Sequence, residues 1–319
     1  MSYDYQQISL MRADLMSANI GDEIISSYCL EHLREVFPHC LLNSVPTQIR
    51  MDSRAKQVLN RSELAIVCGT NLLASNMRTR KQWNVQLCDV RIKTKFVLCG
   101  VGWWQYQGKP DFYTKALLSN ILSKDCLHSV RDEYTRQKLL EIGIDNVVNT
   151  GCPTMWNLTE DHCSHIPSNK ASKVVFTVTN YKQDAVSDKR MVETLLHSYD
   201  EVYVWLQNDS DLPYLSSMVD VSRIRVIPPV LKAYDSLLDE GNIDYVGTRL
   251  HGGIRALNHQ VRSIIIGVDN RAMEISKDTG LKVIPREEID LLESIIRSKW
   301  QTEIKIPVDS ITSWKHQFM

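Results

Sequence analysis

No stretch of this sequence stays apolar for anything near the roughly 20 residues that a membrane-spanning helix needs, so no helical span is expected. The opening residues, Met-Ser-Tyr-Asp-Tyr-Gln-Gln, lack a basic region followed by an apolar block, and a cytoplasmic location is expected on that ground. Charge of one sign is also missing: Lys plus Arg number 37 against 38 for Asp plus Glu, a net charge of −1. That excludes a sequence-wide basic field for nucleic acid, and any cationic site must be local. The 8 cysteines form no C-x-x-C pair. Cys68, Cys99 and Cys126 fall in apolar strand-like runs and read as small hydrophobes, so neither a zinc site nor a disulfide framework is expected. Carboxylates are not clustered with ligand spacing, and no metal or cofactor is implied. Short repeats, low-complexity tracts and charge blocks are absent.

What is present is an ordinary globular composition, 43% hydrophobic and 24% charged, over 319 residues. That length exceeds what one core usually serves, so two domains are expected. From residue 6 onward apolar strand-like runs alternate with amphipathic helical ones, the pattern of parallel sheets covered by helices on both faces. Residues 157–172 are polar and aperiodic and read as the boundary. The expectation is an α/β protein of two Rossmann-like domains facing across a cleft: residues 1–165, residues 166–305, and an apolar tail, 306–319, crossing back to the first domain.

The richest stretch is 243–281. An apolar run ends in Gly247-Thr248-Arg249-Leu250-His251-Gly252-Gly253, a helical pattern follows, and a second run ends in Asp269-Asn270-Arg271. Strand, turn and helix in this order place Arg249, His251, Asp269 and Arg271 past the carboxyl ends of strands, where open parallel sheets keep ligands. A guanidinium and an imidazole beside a helix start suit an anion. Tight packing alone would explain the glycines but not Arg249 and His251 together. Arg255 reads equally as a further ligand or a solvated face, and Asp269 with Arg271 as a structural pair or as donor contacts.

Asn19-Ile20-Gly21-Asp22, Ser129-Val130-Arg131-Asp132-Glu133, the 247–253 block, Ala256-Leu257-Asn258-His259, Ile266-Gly267-Val268-Asp269-Asn270-Arg271 and Asp278-Thr279-Gly280-Leu281 follow one another along the chain. In that order they resemble the polysaccharide pyruvyl transferases. The resemblance implies a glycosyltransferase-B-like fold and phosphoenolpyruvate as donor. The acceptor it implies is a sugar diol of a glycan, a glycolipid or a nucleotide- or lipid-linked precursor, and the product is a cyclic pyruvate ketal. A place at the inner face of the membrane, in peripheral association with a glycan-assembly system, would follow. By the same resemblance residues 1–165 are the acceptor side and 166–305 the donor side, and Arg131, Arg249, Leu250 and His251, with Gly252 and Gly253, line the donor site.

Elementary chemistry fits that assignment. A donor with a carboxylate and a phosphate needs two cationic or amide-rich poles, and the planar fork of arginine suits both. His251, with an ordinary pKa near neutral, can give and take the protons of ketal formation, or serve as a phosphate ligand. For Arg131 the alternative is an ion pair with Asp132 or Glu133. Asp22 reads either as a catalytic group acting on an acceptor hydroxyl or, like Asn19, as a helix cap. Trp103 and Trp104 offer a sugar platform or core packing. With Asn19 and Asn71 they are the candidate acceptor contacts. The chain departs from the family at Gly69-Thr70-Asn71-Leu72-Leu73, where a run of glycines is common, and at Trp103-Trp104. Two rivals remain: a glycosyltransferase using a nucleotide sugar, with Glu274 reading the ribose, and a non-catalytic glycan-binding or scaffold protein of the same fold.

Overall fold

The computed structural model describes residues 6–319. They form two compact units: one comprises the chain up to Ser17, Ile25–Trp156 and Pro307–Met319, the other Ala18–Ile24 and Asn157–Ile306.

In the first unit, β1 (Gln7–Arg12), α1 (Ile20–Val36, whose first turn belongs to the other unit), β2 (Leu41–Pro46), α2 (Ser53–Arg61), β3 (Leu64–Cys68) and β4 (Lys95–Cys99) build a parallel sheet of order β2-β1-β3-β4. α3 (Phe112–Ile121), β5 (His128–Val130), α4 (Glu133–Leu140) and β6 (Val147–Asn149) follow. β5 and β6 pair in parallel as a separate ladder. The separation has a local cause. Along β4, the Leu98 N–H donates to His128 Nδ1 (3.2 Å) and the Gly100 N–H to Ser129 Oγ (2.8 Å), so side chains of β5 stand in for ladder carbonyls. Burial on both faces explains the continuous apolar runs. Ala65, Val67, Phe96 and Leu98 enter one core while Ile66, Cys68, Val97 and Cys99 enter the other, the alternation a strand imposes. The final helix of the chain, Val308–His316, belongs to this unit and buries Trp314 against Trp156, ring centroids 5.9 Å apart.

The second unit contains α5 (Glu160–Ser164), β7 (Lys173–Thr177), α6 (Ala185–Ser198), β8 (Glu201–Trp205), α7 (Asp211–Ser216), β9 (Arg225–Ile227), α8 (Leu231–Asp239), β10 (Ile243–Gly247), α9 (Leu250–Asn258), β11 (Ser263–Gly267), α10 (Asn270–Thr279), β12 (Val283–Pro285) and α11 (Leu292–Arg297). Its six strands are parallel, in the order β12-β11-β10-β7-β8-β9. This is the Rossmann order, with the chain reversing direction across the sheet between β7 and β10, where such sheets open a ligand crevice.

Two local readings differ from the structure. The aperiodic 157–172 segment holds the short helix α5, started by Thr159, whose Oγ1 accepts from the His162 N–H (3.2 Å). Ala18–Ile24, expected with the first domain, belongs to the second unit, where the Ile20 N–H donates to the Gln207 carbonyl (3.3 Å). Among the described residues no helix is long and apolar enough to cross a membrane.

Candidate functional site

In the second unit the expected site residues stand at the topological reversal. β7 delivers Thr177, Val178 and Thr179, and β10 delivers Thr248, Arg249 and the start of α9. Gly247 is glycine because a β-carbon there would stand 2.7 Å from the Thr177 nitrogen and 2.8 Å from its carbonyl oxygen. The backbone of Arg249 is held by a closed ring of hydrogen bonds. Its N–H donates to Thr177 Oγ1 (3.2 Å), that hydroxyl donates to the Tyr245 hydroxyl oxygen (2.6 Å), and Tyr245 donates back to the Arg249 carbonyl (2.7 Å).

The side chain of Arg249 is equally fixed. Nη2 reaches both carboxylate oxygens of Asp211 (2.6 and 2.8 Å) and Nε donates to the Val178 carbonyl (3.1 Å). Its guanidinium carbon also lies 5.3 Å from the centre of the Tyr181 ring. These bonds use Nε and Nη2, and Asp211 balances the charge, a partner the sequence reading did not name. Leu250 and His251 are buried in the first turn of α9. Gly252 and Gly253 serve packing in that turn. A β-carbon on Gly253 would stand 2.7 Å from Tyr245 Cε1 and 2.8 Å from Ile265 Cγ1, and the Gly252 carbonyl accepts from the Tyr234 hydroxyl (2.8 Å).

The neighbouring cations are structural in their geometry. Arg271 donates from Nε and Nη2 to Asp269, Nη2 to Oδ2 at 2.6 Å, and also to the Tyr181 hydroxyl. Asp269 Oδ1 in turn caps α10 by accepting from the Arg271 N–H (3.1 Å). Arg255 forms a two-point pair with Asp235 (2.9 Å on each arm). Glu274 is buried within α10. Asn19 precedes α1 and its Oδ1 accepts from the Gly21 N–H (3.2 Å), the geometry of a cap. Asp22, buried in the first turn of α1, belongs with it to the unit that carries Arg249 and His251.

Arg131 stands in the first unit, just past β5, and is 1% exposed. Its Nε donates to Asp132 Oδ2 (3.0 Å), while Asp132 Oδ1 accepts from the Thr135 N–H (2.8 Å) and hydroxyl (2.6 Å) and so caps α4. Nη2 is 3.0 Å from Asp132 Oδ2, yet among the described residues neither Nη1 nor Nη2 has a hydrogen-bond partner. The guanidinium packs on Gly102, in the turn after β4, and the Gly102 N–H donates to the carbonyl of Thr70 (2.8 Å). Beside Thr70, whose φ is +54°, Asn71 carries a buried Oδ1 that is also without a partner among the described residues. The strand ends β3, β4 and β5 thus bring two unsatisfied polar side chains to one edge of this unit.

Trp103 is corrected to a core residue. It is fully buried, and its indole N–H donates to Gln107 Oε1 (3.1 Å), so no face of it is open to a sugar. Trp104 is half-buried, with the guanidinium carbon of Arg80 3.7 Å from its ring centre. Among the described residues no group of three or more His, Cys, Asp or Glu side chains could hold a metal ion.

Comparison with solved structures shows the fold. A UDP-GlcNAc 2-epimerase of Methanocaldococcus jannaschii, in complex with UDP-GlcNAc and UDP, is similar with a TM-score of 0.59 at 12% identity, covering 98% of each chain. HepE of Anabaena, in complex with UDP and glucose, is similar at 0.51 and 10% identity, covering 98% of this chain and 92% of that one. A putative UDP-N-acetylglucosamine 2-epimerase of Listeria monocytogenes is similar at 0.53 and 10% identity, covering 98% of this chain and 90% of that one. The fold is therefore α/β with parallel sheets, of the glycosyltransferase-B-like kind. Curated protein sequences contain no match. The sequence profile named polysaccharide pyruvyl transferase matches residues 19–270, and the chain belongs to the polysaccharide pyruvyl transferase family.

Proposed function

We propose that this chain transfers the pyruvyl group of phosphoenolpyruvate to two hydroxyls of a sugar, forming a cyclic ketal and releasing phosphate. In this reaction a proton adds to the enol methylene, which becomes a methyl group. One sugar hydroxyl attacks C2 and loses its proton, the C2–O bond to phosphate breaks, and the second hydroxyl closes the ketal as it loses its own. The reading assigns oxyanion binding to Arg131 and to Arg249 with Leu250 and the first turn of α9. Proton transfer at the methylene falls to His251, and acceptance of a hydroxyl proton to Asp22. Acceptor contacts are assigned to Asn71 and Trp104.

The observation that carries the reading is Arg131. A guanidinium buried to 1% exposure, ion-paired with Asp132 yet with no hydrogen bond from Nη1 or Nη2, is expensive to keep, since leaving a buried donor unmade costs about 1–3 kcal/mol and more for a charged group. A dianionic or trianionic donor offers the missing oxygens, and membership of a pyruvyl transferase family supports a pyruvyl-bearing one.

Binding distinguishes this from the nucleotide-sugar and scaffold readings, because a ligand stabilises only the protein that binds it. Phosphoenolpyruvate is expected to raise the thermal midpoint of the wild type, and UDP-sugars are not. Arg131→Ala is expected to lose the effect. Protection by UDP-sugars without protection by phosphoenolpyruvate overturns the reading in favour of a glycosyltransferase, and protection by neither in favour of a scaffold.

A further inference from the structure

Two motifs that the sequence places more than two hundred residues apart lie on either side of one side chain. Gln207 follows β8 and is 2% exposed. Its backbone is engaged, the N–H donating to Asp211 Oδ2 (3.1 Å) and the carbonyl accepting from the Ile20 N–H (3.3 Å). Its side-chain amide lies between the first turns of α1 and α9. A β-carbon on Gly252 would stand 2.9 Å from Nε2, and one on Gly21 would stand 3.4 Å from Oε1. Gly252 therefore leaves room for this amide, and Gly21 borders it. Gly21 belongs to the Asn19–Asp22 element and Gly252 to the block that carries Arg249 and His251.

Yet Nε2 has no hydrogen-bond partner among the described residues. An apolar side chain of the same shape would fill the space without that penalty, since an unmade buried hydrogen bond costs more than its replacement by an apolar isostere. The amide N–H can only donate, so the missing partner is an acceptor. Its surroundings favour an anionic one. The helices on either side, of 17 and 9 residues, both present their N-terminal turns here, where the positive end of the helix dipole attracts negative charge.

We propose that Gln207 is a ligand-binding residue whose Nε2 donates to an oxyanion of the substrate at the first turns of α1 and α9. The identity of that substrate as phosphoenolpyruvate rests on the function proposed above. The charge class of the ligand does not.

The test measures the ligand-free thermal midpoint and the affinity for phosphoenolpyruvate and for inorganic phosphate in wild type, Gln207→Leu and Gln207→Asn. Gln207→Leu is expected to keep or raise the ligand-free midpoint while weakening phosphoenolpyruvate at least tenfold. Gln207→Asn, which keeps the amide but draws it back, is expected to fold and to bind more weakly than wild type; it decides the matter if the leucine variant does not fold. A wild type that binds inorganic phosphate but not phosphoenolpyruvate, with binding lost in Gln207→Leu, retains this site and discards the donor. Wild-type affinity in folded Gln207→Leu, or binding of neither anion by the wild type, overturns the proposal.

Discussion

Arg131 and Gly102 are packed so closely that a β-carbon on Gly102 would overlap the guanidinium carbon and stand 2.7 Å from Nη1. Because Asp132 anchors Nε, the guanidinium cannot swing aside without breaking a buried ion pair. Gly102→Ala is therefore expected to displace the group and lower kcat/KM for phosphoenolpyruvate by as much as Arg131→Ala. That loss is about 1.5–3 kcal/mol, the worth of hydrogen bonds to a charged group. Steady-state kinetics on both single variants and the double variant check this. The double should be no worse than the worse single, because both changes remove one interaction.

Asp211 and Arg249 are both buried, and two oxygens of one meet one nitrogen of the other. Asp211→Ala leaves the guanidinium without its counter-charge and is expected to cost about 3–5 kcal/mol, as breaking a buried pair does. Chemical denaturation measures it. A loss below 1 kcal/mol would mean that the pair does not hold Arg249 in place.

The ring of hydrogen bonds through Tyr245 makes a smaller, sharper forecast. Tyr245→Phe keeps the packing of Gly253 but takes the acceptor from the Thr177 hydroxyl and one of two donors from the Arg249 carbonyl, which keeps the Gly253 N–H (3.2 Å). A loss of about 1–2 kcal/mol in stability with an unchanged denaturant slope is expected.

His128 links stability to pH. Its Nδ1 accepts from the Leu98 N–H, so Nε2 carries the proton that is donated to the Ser123 carbonyl (2.9 Å). Burial lowers its pKa from 6.5 to about 4. The folded state thus resists a proton that the unfolded chain takes up below pH 6.5. The contribution is complete above the unfolded pKa and fades as pH falls from 6.5 to 4, by roughly 3 kcal/mol in all. Denaturation at a series of pH values should show this slope in the wild type and lose it in His128→Gln.

Strand ends and motif order were legible because parallel strands buried on both faces leave continuous apolar runs, and because β-strand to helix turns put the polar residues in a fixed place. The run 243–247 and the residues after it needed no tertiary information. Partners did. Asp211 lies 38 residues from Arg249, and nothing in the neighbourhood of an aspartate at a helix start announces that it will neutralise a distant guanidinium. Gln207 was passed over for the same reason, as was His128, whose role as a substitute ladder acceptor depends on β4 lying alongside. Trp103 and Trp104 show the limit in the smallest compass, since adjacent and identical residues divide between core and rim.

Turnover tests the ketal-forming reaction most directly. The purified chain would be given phosphoenolpyruvate and a panel of free, nucleotide-linked and lipid-linked sugars carrying adjacent or 1,3-related hydroxyl pairs, with phosphate and sugar products measured together. The expected result is phosphate released in step with a ketal-bearing sugar for at least one acceptor, reduced by about 10²–10⁴-fold in His251→Ala. Release of nucleotide from a UDP-sugar with glycosyl transfer, and no phosphate from phosphoenolpyruvate with any acceptor, would contradict it.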